Sequence, residues 1–153
     1  MSVPAIRALL PHAGQMVLLD RVLAVDEETL CAEVRLHAGS MLAGEGGVGA
    51  WVGIEYMAQA IAAHAGWLAQ QRGEPVKVGV LLGARNYASS LGCFPRNGVL
   101  KVHVRRLLMA DNGLGAFDCR IDVDGGAAGV ATAVVTVFQP EDFNQFLNNG
   151  NAV

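Results

Sequence analysis

The sequence predicts an α+β fold in which one antiparallel sheet wraps around a single long buried helix. Three observations carry that reading. Between Ile54 and Leu68, apolar residues recur at three- and four-residue steps, and the other faces are Ala, Gly, Met and Trp as well. Short β-rich runs precede and follow this stretch. Charged residues make up only 16% of the 153 residues, while apolar ones reach 52%. Ordinary soluble domains carry ~25% charge, so this chain has little with which to coat a full surface, which implies a buried subunit interface.

The elements follow in order. Val3 to Leu10 is a short amphipathic opening that Pro11 ends, and LPHAGQM is a turn-rich lead-in. Val17 to Val25 is apolar except for Asp20 and Arg21, and Leu30 to Leu36 alternates strictly. The charged turn Asp26-Glu27-Glu28 joins them into a hairpin. Ala38 to Gly49 is a Gly-rich loop without period. The long helix follows, with a polar exit from Gln70 to Pro75 and Gly73 suited to its cap. Val76 to Leu82, Leu100 to Leu107, Phe117 to Val123 and Ala127 to Phe138 read as four more strands. Lys101, His103 and Arg105, like Asp118, Arg120 and Asp122, alternate outward, whereas Ala127 to Phe138 is apolar on both parities and reads as a central strand. Asn112-Gly113 and Asp124-Gly125-Gly126 mark turns.

A sheet cannot leave such a helix exposed, so it curls around it, which is the hot-dog arrangement. A single layer keeps open edge strands, which pairing of two subunits into one continuous sheet resolves, so a double hot-dog dimer is expected. Residues 1–140 form one domain on this reading, and 141–153 a polar tail rich in Asn.

Composition also excludes functions. Eleven Lys and Arg against 14 Asp and Glu leave a net charge of −3, which offers no footprint for nucleic acid or anionic lipid. Val48 to Leu68 is long enough to span a bilayer but carries Glu55, Gln59 and His64. A mid-helix acid costs roughly 2.5–3.5 kcal/mol on insertion, so the stretch reads as a helix buried in protein, not membrane. Cys31, Cys93 and Cys119 form no CxxC and look like small core fillers. Without a basic-then-apolar leader, a reduced cytoplasmic protein is expected. No phosphate loop, nucleophile elbow or metal-ligand cluster is present, so neither metal nor cofactor is expected.

Glu55 is the most informative residue. It opens an otherwise apolar helix, where burial disfavours its carboxylate and the helix N-terminus favours it; a tunable acid results. A Glu at such a place also serves as a partner of the helix dipole or of a capping box. Gln59 lies one turn on, about 40° around the helix, and shares that wall. Gly47, Gly49, Ala50 and Gly53 leave amides at the helix start unblocked, suited to polarising a carbonyl or merely to close packing. Four histidines compete for the role of base. His12 projects from a turn and His37 ends a strand. His64 lies about 180° around the helix from Glu55 and roughly 13 Å along it, which excludes a dyad within one chain. His103 shares the solvated face of Lys101 and Arg105.

LPHAGQMVLLDRVLAV, GIEYMAQAIAAHAG and LLGARNYASSLGCFPRNGVLKVHV, in this order, resemble the β-hydroxyacyl-acyl-carrier-protein dehydratases. The closest resemblance is to a divergent hot-dog branch associated with aryl-polyene-type pigment clusters, in which LPHxGxMxLLD and WVGIEYMAQ recur. The resemblance implies syn elimination of water from a 3-hydroxyacyl thioester. In that family a loop His takes the α-proton, the partner subunit's helix Glu protonates the departing hydroxyl, and helix-start amides polarise the carbonyl. Glu55 falls on the acid and Gln59 on the Gln of the same string. Ala50 falls where the family has a glycine offering its N–H, beside Gly49. The sequence departs at one point: the family's Gly-His-Phe-Pro string is Gly39-Ser40-Met41-Leu42 here, so Met41 stands where the base is expected. His12, favoured for its place in the LPH string, or His37 replaces it, or the chain does not catalyse alone.

The leading expectation is a dehydratase acting through Glu55 and His12, with Gly49, Ala50 and Gln59 binding substrate. An acyl carrier protein would deliver the thioester to a homodimer or to a heterodimer with another hot-dog chain. Arg85, Arg96, Lys101, Arg105 and Arg106 are candidates for docking that carrier, and Trp51, Tyr56, Trp67 and Phe94 for shaping the tunnel. The alternatives are a non-catalytic hot-dog subunit partnering an active dehydratase, and a hot-dog thioesterase.

Overall fold

A computed structural model describes residues 5–10, 17–37, 39–40, 43–44, 47–75, 79–124 and 129–140. His12, Met41 and the tail 141–153 lie outside these residues. The described chain runs α1 (Ile6–Leu9), β1 (Arg21–Val25), β2 (Thr29–Arg35), β3 (Ala43–Gly44), β4 (Gly47–Gly49), a 3-10 turn (Ala50–Val52) and α2 (Gly53–Gln71). It continues through β5 (Val80–Ser89), β6 (Cys93–Phe94), β7 (Val99–Met109), β8 (Leu114–Val123) and β9 (Ala131–Phe138). The hot-dog fold follows: a six-stranded antiparallel sheet, in the order β1-β2-β7-β8-β9-β5, lies against α2, and β3-β4-β6 forms a small second sheet.

The apolar stretch from the sequence is α2. Its end is a Schellman cap: Gly73 turns left-handed at φ 68°, the Glu74 amide donates to the Ala69 carbonyl and the Gly73 amide to that of Gln70. Met57, Ala60, Ile61 and Trp67 bury into the sheet, whose facing residues are Val102, Val104, Cys119, Ile121, Ala133 and Val135. Each of those positions lies on the inward parity of its strand. The short α1 crosses α2 where Gly66 has no side chain, because a Cβ there would collide with the Leu9 carbonyl. Leu9 is itself fully buried.

Several boundaries differ from the sequence reading, each for a visible reason. Val17 to Asp20 are not strand, because the Leu18 amide donates to Gln59 Oε1 at 2.9 Å instead of to a neighbouring strand. The Gly-rich loop contributes β3 and β4, and Gly47 (φ 112°) lies so close to the Phe94 carbonyl that a Cβ would not fit. β5 extends to Ser89 through a bulge between Arg85 and Ala88, with Asn86 at φ 57°. β9 lies between β8 and β5, in the sheet interior as its composition predicts.

The outward face is ion-paired. Lys101 reaches Asp124 at 3.7 Å, Arg105 reaches Asp118 at 3.4 Å, and Arg120 reaches Asp122 at 3.1 Å. His103 is half-buried rather than solvated, with Nε2 3.0 Å from Asp122 Oδ2. Of the cysteines, only Cys119 is the expected core filler; Cys31 is half-buried and Cys93 exposed. Among the described residues β5 pairs only with β9, so its outer edge is open.

Gly66→Ala adds helix propensity worth about 1 kcal/mol but forces α1 off α2, an overpacking cost of roughly 1–3 kcal/mol. The denaturant midpoint is expected to fall; an unchanged or raised midpoint refutes the close crossing.

Candidate active site

Glu55 is the third residue of α2. Its N-cap is Val52, whose side chain makes no capping bond, so no capping box forms, while the first-turn position keeps Glu55 in favourable interaction with the helix dipole. Glu55 is half-buried and, among the described residues, has no hydrogen-bond or ion-pair partner. It lines a cleft of about 240 Å³ between α2 and one end of the large sheet.

Small residues make that cleft. Ala58, Ala62 and Ala65 share the Glu55 face of the helix and fill little of the space beneath the sheet. Opposite them runs one inward row across four strands: Leu81 pairs with Val137, Val137 with Gly115, and Gly115 with Met109. Gly115 contributes no bulk. Leu81 and Met109 are 41% and 42% exposed, which places apolar side chains at an open mouth. The cleft is therefore a mainly apolar groove with one unpartnered carboxyl on its wall, suited to an apolar chain with a reactive polar group.

The remaining candidates are placed as follows. Gln59 lines the same wall, fully buried, and its Oε1 accepts the Leu18 amide. Gly49 pairs with Cys93 at the turn into the helix. The Ala50 amide is not open: it donates to the Gly92 carbonyl at 3.0 Å. The Ala50 carbonyl in turn accepts the Gly53 amide and the Tyr87 hydroxyl. His37 is exposed and its Nδ1 accepts the Gly39 amide at 3.0 Å, closing its own turn. His12 lies outside the described residues.

His64 holds a place that the sequence did not suggest. It is fully buried, lines the far part of the cleft, and its Nε2 donates to the Asp26 carbonyl at 3.0 Å. Nε2 therefore carries the proton, and the ring packs edge-on against Phe117 at 5.9 Å. Burial pushes its pKa below the usual value, outweighing the Asp26 carbonyl, and Arg106 adds to the depression. Tyr56, Trp67 and Phe94 belong to the core and Trp51 is 67% exposed; none of the four lines the cleft. Tyr87 was not legible at all. The signal was the bulge around Asn86, which alternation counts cannot show.

Comparison with known proteins decides the family. The ApeP-like family, described as ApeP dehydratase, matches residues 4–148. The chain belongs to this family. Among solved structures the dehydratase is similar to the dehydratase heterocomplex ApeI:P from Xenorhabdus doucetiae, with 27% identity over 96% of this chain and 99% of that one, and a TM-score of 0.86. Two more distant structures share the fold. A hypothetical thioesterase with coenzyme A from Streptococcus pneumoniae is 15% identical, over 78% and 84% of the two chains, with a TM-score of 0.60. A mutant thioesterase from Pseudomonas aeruginosa is 19% identical, over 78% and 80%, with a TM-score of 0.57. A search of the curated proteins found no match. The dehydratase is thus a lyase on a hot-dog scaffold, and none of its described helices is long and apolar enough to cross a membrane.

The lowered pKa of His64 makes a stability prediction. Below the unfolded value near 6.5 the unfolded chain takes up a proton that the folded ring resists. This contribution is complete above that pH and is lost as pH falls towards the folded value. His64→Leu is expected to flatten the loss of denaturant midpoint between pH 7.5 and 5.5; an equally steep loss in the variant refutes it.

Proposed function

We propose that this dehydratase removes water from a 3-hydroxyacyl thioester, carried on an acyl carrier protein, to give the trans-2-enoyl thioester for fatty-acid or polyene-type biosynthesis. Glu55 is the acid that protonates the departing hydroxyl. The observation that carries this is the half-buried, unpartnered Glu55 carboxyl on the wall of an apolar cleft. The α-proton beside a thioester is weakly acidic, so its removal needs a base and a stabilised enolate while the hydroxyl leaves as water. An imidazole takes the proton, an amide of the helix start other than Ala50's holds the carbonyl oxygen, and the cleft shelters the acyl chain. Gln59 holds the cleft wall and the chain entering β1, and its Oε1 does so through the Leu18 amide.

A second hot-dog chain completes the unit on this reading. The open β5 edge, with Leu81 and Leu82 exposed beside it, and the exposed Trp51 at the helix start suit burial against another sheet and helix. Two sources of the imidazole remain distinct. His12 supplies it within copies of this chain, or a different hot-dog partner supplies it. The second is favoured by Met41 at the family's His position and by the similarity to a heterocomplex.

Glu55→Gln is expected to lower dehydration of a 3-hydroxyacyl-carrier-protein substrate by about 10²–10⁴-fold with an unchanged melting temperature. Full turnover in this variant sinks the acid role. His12→Ala separates the two sources. It abolishes activity of the purified homomer if His12 is the base, and leaves activity with a hot-dog partner intact if the partner provides it.

A further inference from the structure

The turn that leads into α2 is held on both sides. The Ala50 amide donates to the Gly92 carbonyl, beside β6, and the Ala50 carbonyl accepts the Tyr87 hydroxyl from β5. Tyr87 is brought there by two departures from regular structure. The bulge between Arg85 and Ala88, with Asn86 left-handed, breaks the β5 alternation and re-aims the side chain. Gly53, the first residue of α2, lacks a Cβ that would collide with the Tyr87 oxygen and crowd Phe94 and Ile121. Two unusual backbone positions are thus given over to one hydrogen bond.

The consequence lies in the peptide plane. In a trans peptide the C=O and the following N–H point in opposite directions. The Gly53 amide and the Tyr87 hydroxyl both hold the Ala50 carbonyl, and together they set the direction of the Trp51 N–H, which points out of the helix start. The Ala50 amide is already engaged, whereas the Trp51 amide has no backbone acceptor among the described residues. Glu55 stands one turn further along the same helix.

We propose that Tyr87 is a positioning residue for the dehydration: its hydroxyl holds the Ala50–Trp51 peptide so that the Trp51 N–H meets the thioester carbonyl oxygen while Glu55 meets the hydroxyl. This rests on the acid role proposed above for Glu55. Tyr87 acts through the backbone and does not line the cleft. Its hydroxyl is protonated and donating at neutral pH, as any phenol is, and burial raises its pKa further. Because Tyr87 lies on the open edge strand, the geometry of the catalytic turn depends on how that strand is held.

The test is steady-state kinetics of Tyr87→Phe in the catalytically active assembly, beside Glu55→Gln and a melting curve. The expected result is a kcat about tenfold lower with KM within about twofold and a melting temperature lowered by no more than a few degrees, so that the protein is fully folded under assay conditions. Gly53→Ala, which displaces the hydroxyl sterically, is expected to cost turnover in the wild-type background. In the Tyr87→Phe background its cost falls to what the crowding of Phe94 and Ile121 exacts, because the hydroxyl contact is already gone. Full kcat in Tyr87→Phe, with Glu55→Gln inactive, overturns the positioning role and leaves the acid role standing. A rise in KM alone, or a loss of kcat that only follows loss of folded protein, overturns it as well. Full activity of Glu55→Gln overturns the acid role, and with it this inference.

Discussion

A helix with no polar face has to be enclosed, and the rest of this structure follows from that constraint. α2 buries Met57, Ala60, Ile61, Ala63 and Trp67, and the large antiparallel sheet covers them. Covering them brings the inward rows of β2, β7, β8 and β9 around the helix. One face is left under-filled, where Ala58, Ala62 and Ala65 are too small to reach the sheet. That gap is the cleft, so the site is a by-product of placing small residues on a helix that must otherwise be packed to normal density.

Polar groups in and around this core show a common pattern. Gln59 takes the Leu18 amide, His64 gives its proton to the Asp26 carbonyl, and Tyr87 gives its proton to the Ala50 carbonyl. Each ties a non-helical segment to the helix or its entry turn, as buried polar groups must find partners. Glu55 is the exception among the polar side chains of α2 that line the cleft, since it ties nothing within the described chain. A carboxyl left unpartnered on an apolar wall is free to serve a reacting group.

The outer face of the sheet answers to different physics. Its Lys, Arg and Asp residues pair in solvent, where each pair contributes at most about 1 kcal/mol. Arg105 pairs with its register partner Asp118 across two strands, Arg120 with Asp122 two residues along the same strand, and Lys101 with Asp124 just past the end of β8. Lys101 and Arg105 are thereby engaged with Asp124 and Asp118, which weakens their case as free docking cations. The outward parity of these residues was legible because strand alternation is a local property. The pairing of His103 with Asp122 was not, because it depends on which strand lies alongside and in what register.

The same division runs through the whole molecule. Residue spacing alone determined the central helix, its capped end at Gly73, the inward and outward faces of β7 and β8, and the place of Glu55 near the start of that helix, because these follow from the 3.6- and 2-residue periods and from local backbone preference. The family resemblance was legible for the same reason, in contiguous strings. Only the tertiary structure decided that Gln59 would hold Leu18, that the Ala50 amide would be engaged by Gly92, and that Tyr87 would reach the helix start. Those outcomes join residues far apart in the chain through a bulge, a missing Cβ and a strand order, none of which leaves a period in the sequence.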